Sequence, residues 1–180
     1  MKKISLSLKH NFNIIMQNIK SFLKLAFTLA IVSVLLWGCP YSSDVPIDEA
    51  KEKVNPELMG KWTKDGSTEN PKFYNVTKAS DTKYNFEENT YSSSDNKYNQ
   101  KNYTGHTTTI GSDVFLNMEN DGKYYIYKIV MKKGEGMFEL IEVTDNIKEK
   151  FSKSADLKAF VTKYKDLSFF YNKDAEKYKK

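Results

Sequence analysis

The segment from Val114 to Met131 constrains the fold more than any other part of this chain. Val114, Leu116 and Met118 alternate with Phe115 and Asn117, Asn120-Asp121-Gly122 follows, and Tyr124 to Met131 is apolar or aromatic on both faces. An Asp-Gly pair between two such runs is a strong short-range signal for an antiparallel hairpin, because both central turn residues must take positive φ. Similar runs precede and follow it. Leu58 to Thr63, Lys72 to Val76, Thr82 to Phe86 and Tyr98 to Ile110 lie upstream, and Met137 to Val143 comes after the turn Gly134-Glu135-Gly136. Tyr91 to Asn102 is polar, and Ser92 to Asn96 reads as a loop. The expectation is seven or eight antiparallel strands with short connections.

A helical period appears only late. Leu157, Phe160, Val161 and Tyr164 fall at i, i+3, i+4 and i+7 behind Ser154, a possible cap, and Asp156, which favours the positive end of a helix. A shorter helix is expected from Asp145 to Phe151, and Leu167 to Tyr171 is expected as a last short strand packed on the domain. Strands first and helices after them fit either an antiparallel barrel with an appended helix or an α+β sandwich. Gly60-Lys61-Trp62 resembles the Gly-x-Trp signature on the first strand of lipocalins, where the Trp plugs the closed end of an eight-stranded up-and-down barrel. The family's later Arg over the Trp has no counterpart, since this chain has no Arg. The fold class expected is mainly β: an antiparallel, lipocalin-like up-and-down barrel with one or two C-terminal helices.

The first 38 residues read as a secretory signal: a lysine-bearing start, the apolar stretch Leu25 to Trp37, and Gly38 just before Cys39. Met16 would open a more typical leader of the same kind. Leu36-Trp37-Gly38-Cys39 resembles the bacterial lipobox, with Trp37 in place of the usual small residue. That resemblance implies cleavage between Gly38 and Cys39, diacylglycerol on the Cys39 thiol, and acylation of the new amino group. Cys39 is the chain's one cysteine, so it would be consumed by this chemistry rather than left as a free thiol outside the cytoplasm. Several acyl chains on one residue give stable attachment, at about 0.8 kcal/mol per buried CH₂. Pro40 rather than Asp follows Cys39, so the inner-membrane retention signal of such lipoproteins is missing and the outer membrane is the expected location. The combination of lipobox, short tether, Leu-x-Gly-x-Trp and a Phe-Phe-Tyr tail resembles small Gram-negative lipoproteins of uncharacterised activity. The expected organisation is signal peptide over 1–38, lipidated Cys39 and a flexible, proline-bearing tether over 39–56, and one β-rich domain over 57–180.

The leader also accounts for the charge. The chain carries +5, from 28 Lys and 23 acids, but five of the lysines and none of the acids precede Cys39. The remainder is formally neutral. With no Arg for bidentate contacts to phosphate, and no basic module, nucleic acid is not an expected partner.

Chemistry-bearing motifs are sparse. His106 is the one histidine after the leader, which gives neither a zinc ligand set nor a Ser-His-Asp arrangement. Asp113, Glu119, Asp121 and Glu87-Glu88 show no acid–base spacing and read as solvated or turn residues. No catalytic residue, metal or cofactor is expected. The aromatic content, 12 Tyr and 11 Phe, reads first as core. The functional alternative places Trp62, Phe86, Phe115, Tyr125 and Tyr127 around a pocket for a small apolar ligand, with Tyr124 on the opposite face from Tyr125 and Tyr127. Two functions follow as expectations: a non-enzymatic envelope lipoprotein binding an apolar ligand, or a structural adaptor that docks another envelope protein.

Overall fold

The computed structural model describes residues 41–66, 69–132 and 134–180. The expected leader and the Gly38-Cys39 junction lie outside the described residues. The strands are β1 (Ser42–Ser43), β2 (Gly60–Lys64), β3 (Phe73–Lys78), β4 (Tyr84–Ser92), β5 (Lys97–Ile110), β6 (Asp113–Asn120), β7 (Lys123–Lys132), β8 (Met137–Glu142) and β9 (Glu176–Lys179). Among the described residues the one α-helix, α1 (Ser154–Tyr164), lies between β8 and β9.

Strands β2 to β8 pair in chain order, each antiparallel to the next. The last strand, β9, fits antiparallel between β8 and β2 and closes the ring. The result is an eight-stranded antiparallel barrel with no free edge in the ring. β1 stands outside the ring, pairing Ser42 and Ser43 with Tyr125 and Tyr124 on the stretch of β7 that β8 leaves uncovered. In the β6–β7 turn both Asp121 and Gly122 have positive φ, 52° and 72°, as a two-residue Asp-Gly hairpin requires.

Two apolar clusters flank the sheet. The inner one fills the barrel with Leu58, Trp62, Tyr74, Val76, Tyr84, Phe86, Leu116, Met118, Ile129, Phe138, Leu140 and Tyr178. The outer one joins Phe115 and Ile126 on the outside of β6 and β7 to Leu157 and Val161 of α1, with Tyr41, Ile47 and Phe170. Each large apolar side chain fully removed from water contributes about 1.5–3 kcal/mol. Covering both faces of β6 and β7 explains why their sequences do not alternate cleanly.

Several local expectations differ from the structure. Residues 39–56 were expected as a flexible tether; from Tyr41 onward the segment is instead docked on the barrel. Tyr41 and Ile47 are buried in the outer cluster, and the Ile47 N–H donates to Asn117 Oδ1 at 2.8 Å. The expected helix over Asp145–Phe151 is absent. Thr144 Oγ1 accepts from the Asn146 N–H and the Thr144 N–H donates to the Phe170 carbonyl, which commits this stretch to a turn against the C-terminal segment. Leu167–Tyr171 is not a strand: Ser168–Phe170 is a single 3₁₀ turn, with Tyr171 forming one isolated bridge to Val143. The longer helix falls where its period places it, but Lys153, not Ser154, occupies the cap position, without a side-chain bond. The polar stretch Tyr91–Asn102 is mostly strand, since β4 reaches Ser92 and β5 begins at Lys97.

Candidate functional site

Register decides which side chains enter the barrel. The aligned sets Trp62↔Tyr74, Val76↔Phe86 and Phe86↔Tyr103, then Leu116↔Tyr127, Ile129↔Leu140 and Phe138↔Tyr178, all face inward. Aromatic rings occupy the middle. Trp62 packs edge-on to Phe138 with centroids 4.6 Å apart, and Phe138 stacks on Tyr178 at 5.2 Å. Phe86 comes so close to β5 that a Cβ on Gly105 would lie 2.9 Å from its ring. Position 105 therefore holds the one residue that lets this ring in.

The two ends of the barrel differ. At the end holding the β2–β3 and β6–β7 turns, polar groups meet above the aromatic layer. Lys64 and Lys72 reach Glu176 at 2.6 and 3.5 Å, and Lys72 reaches Glu88 at 3.6 Å. The Tyr74 hydroxyl donates to Glu88 at 2.8 Å and the Tyr178 hydroxyl to Glu176 at 2.6 Å. Burial opposes the charge of Glu176, but Lys72 and Lys64 outweigh it and hold its carboxyl below the usual range. Burial, with neighbouring carboxylates, pushes the phenols of Tyr74, Tyr127 and Tyr178 far up, so all three stay protonated. This end is knit by ion pairs and hydroxyls.

At the opposite end the strap from Glu52 to Leu58 crosses the rim. The Trp62 indole N–H donates to the Leu58 carbonyl at 2.7 Å, and the Asn55 N–H donates to the Tyr84 hydroxyl. The Thr109 N–H is held by Glu52 Oε1 at 2.6 Å. Between the strap and strands β5, β6 and β7 a cleft of about 700 Å³ remains. Leu58, Tyr84, Val114, Ile129 and Met131 form its apolar floor, continuous with the inner core; Glu57, Lys53, Asp113 and Lys128 stand at its rim. Asp113 is bonded to Lys128 at 2.7 Å and to Lys165 at 2.8 Å. Burial raises its pKa, and these two amines more than reverse the effect, leaving it lowered.

The five aromatic residues expected around a pocket do not lie on one face of the sheet. Trp62 and Phe86 belong to the packed middle of the barrel, and Tyr125 and Tyr127 turn inward on β7. Phe115 is buried outside the ring beneath α1. Tyr124 lies in the outer cluster, on the face opposite Tyr125 and Tyr127. None of the five lines the cleft. Apart from Leu58, its floor comes from positions on segments already expected to be strands, but most of the strap that makes it a cleft falls in the expected flexible tether over 39–56. His106, 5 % exposed, has Nε2 2.7 Å from the Asp48 carbonyl oxygen. Burial lowers its pKa, and the ring serves to hold the N-terminal segment.

No family model, no curated protein and no solved structure matches the chain significantly.

Proposed function

We propose that the protein is a non-enzymatic lipoprotein of the bacterial cell envelope, anchored through lipid on Cys39, whose barrel holds a small amphipathic ligand in the cleft beside the strap. The anchor rests on the order of the leader, the Gly38-Cys39 junction and the lack of any other cysteine. The ligand reading rests on one observation, the cleft of about 700 Å³ with an apolar floor and a charged rim. That volume suits a ligand of a few tens of atoms, since small-molecule sites span roughly 300–1,000 Å³. The ligand's apolar body would cover Leu58, Val114, Ile129 and Met131. Its polar end would meet Glu57, Lys53 and Lys128.

Solvent extraction of the purified protein tests this. A discrete small molecule, near one per chain, should be recovered from the wild type and be strongly depleted in a folded Val114→Trp variant, whose indole fills the cleft. Equal recovery from both proteins would contradict the assignment of the cleft.

A further inference from the structure

The chain is fixed to the barrel almost as soon as it leaves Cys39. Tyr41 is 3 % exposed, its N–H donates to the Val143 carbonyl at 3.2 Å, and its hydroxyl donates to the Glu149 carbonyl at 3.4 Å. Ser42 and Ser43 then pair with β7. Only Pro40 separates Tyr41 from Cys39. Two residue steps reach at most about 7 Å. Lipid on Cys39 would therefore not hold the domain away from the bilayer; it would draw the Tyr41 edge onto the headgroups.

The surface next to that edge has the composition such a position needs. Val143, which receives the Tyr41 bond, is followed by Thr144, which bonds the carbonyl of Phe170. The neighbouring Phe169 is 68 % exposed and Leu167 39 %, two of the three large hydrophobic side chains left open to solvent among the described residues. Ile147, Phe160, Tyr164, Phe169 and Phe170 line a shallow groove of about 280 Å³ there. In the adjoining loop Lys148, Lys150 and Lys153 are exposed, against the two acids Asp145 and Glu149. An exposed ring bordered by amines suits the interface of an anionic bilayer, where apolar groups enter below the headgroups and amines stay level with phosphate.

We propose that the face beside Tyr41, formed by the loop from Thr144 to Lys153 and Phe169, lies against an anionic phospholipid surface, with Phe169 inserted among the headgroups. This rests on the anchor reading above, and it turns the anchor from a leash into an orienting device. The ligand cleft borders Ile129 to Met131, at the far end of β7 from the Ser42–Ser43 pairing. In this orientation it faces the aqueous side.

The test uses the full-length protein, processed in its host and reconstituted into phosphatidylethanolamine–phosphatidylglycerol vesicles with brominated acyl chains. Trp62, 1 % exposed in the barrel, supplies a constant background in the mature chain. Phe169→Trp should add emission that is blue-shifted and quenched several-fold by the brominated lipid. Glu135→Trp, on the β7–β8 turn at the other end of the barrel, should add emission quenched only by aqueous iodide. The proposal is overturned if both indoles are equally open to iodide while the acylated protein sits on the vesicles; the anchor reading would survive that result. Shielding of Phe169→Trp in native membranes but not on pure lipid would assign the face to a protein partner and also overturn it. A mass spectrum of the same sample lacking acyl groups on Cys39 would remove the anchor reading and this proposal with it.

Discussion

The amide side chain of Asn117 fastens the N-terminal segment to the barrel: its Oδ1 accepts the Ile47 N–H at 2.8 Å, across 70 residues of sequence. Asn117 is 0 % exposed, and its Nδ2 donates to Thr108 Oγ1 at 3.1 Å and to the His106 carbonyl at 3.4 Å. Every polar atom of the side chain is thus used. Asn117→Ala should leave the Ile47 N–H buried without a partner, destabilising the protein by about 1–3 kcal/mol. Urea denaturation measures the loss. Hydrogen exchange should show faster exchange at Ile47 than at amides within β4 and β5; unchanged exchange at Ile47 would show that the side chain is not the fastening.

Gly105 carries a second specific expectation. A methyl there would lie 2.9 Å from the Phe86 ring and 3.4 Å from the Asn117 carbonyl oxygen. Gly105→Ala should cost about 1–3 kcal/mol through overpacking. Adding Phe86→Leu should recover part of that loss, a non-additivity that a double-mutant cycle reads directly.

His106 predicts the acid side of the stability curve. Burial lowers its pKa from the ordinary value near 6.5, so as pH falls below that value the unfolded chain takes up the proton first. Stability should be independent of His106 above about pH 7 and should decline as pH drops through the window below 6.5. Asp48, Glu52 and Lys83 are the charges that act on the ring, and Asp48, held down to about 2 by its bond from the Lys158 ammonium, keeps its charge throughout this window. His106→Gln should flatten the curve between about pH 6.5 and 5. A wild-type curve already flat there would contradict the buried, neutral ring.

Trp62→Phe separates packing from fastening at the strap. Phe keeps most of the apolar contact with Phe138 but loses the 2.7 Å bond to the Leu58 carbonyl. A loss of about 1 kcal/mol in stability is expected, with faster exchange at the backbone amides of Leu58 and Met59, whose partners are Asn55 and Pro56.

The barrel was legible because its hairpins are local. Alternation, Asp121-Gly122 and the glycines around Glu135 place most strands within a few residues. The strands that needed distant partners were not legible. β9 is Glu176-Lys177-Tyr178-Lys179, where one Tyr gives no pattern, and it is a strand because β8 and β2 flank it. Residues 41–56 carry prolines and polar residues that read as a tether; what holds them is Asn117, Asp48 to His106, and a cluster completed by α1. Phe115 was placed with the pocket residues but lies outside the ring; the sequence carries no mark of its face, because α1 buries the outside of β6 as fully as the core buries its inside. For the same reason the cleft was missed. It exists only where the strap crosses the barrel's end, and no residue type marks that crossing.

The most direct test of the central claim is a native mass spectrum of the protein extracted from its own membranes in mild detergent. The expected result is a chain beginning at Cys39, heavier than its sequence by the mass of the acyl modification, with a further small molecule that leaves on collisional activation and is absent from Val114→Trp. An unmodified chain, or a modified chain with nothing bound in either protein, would contradict it.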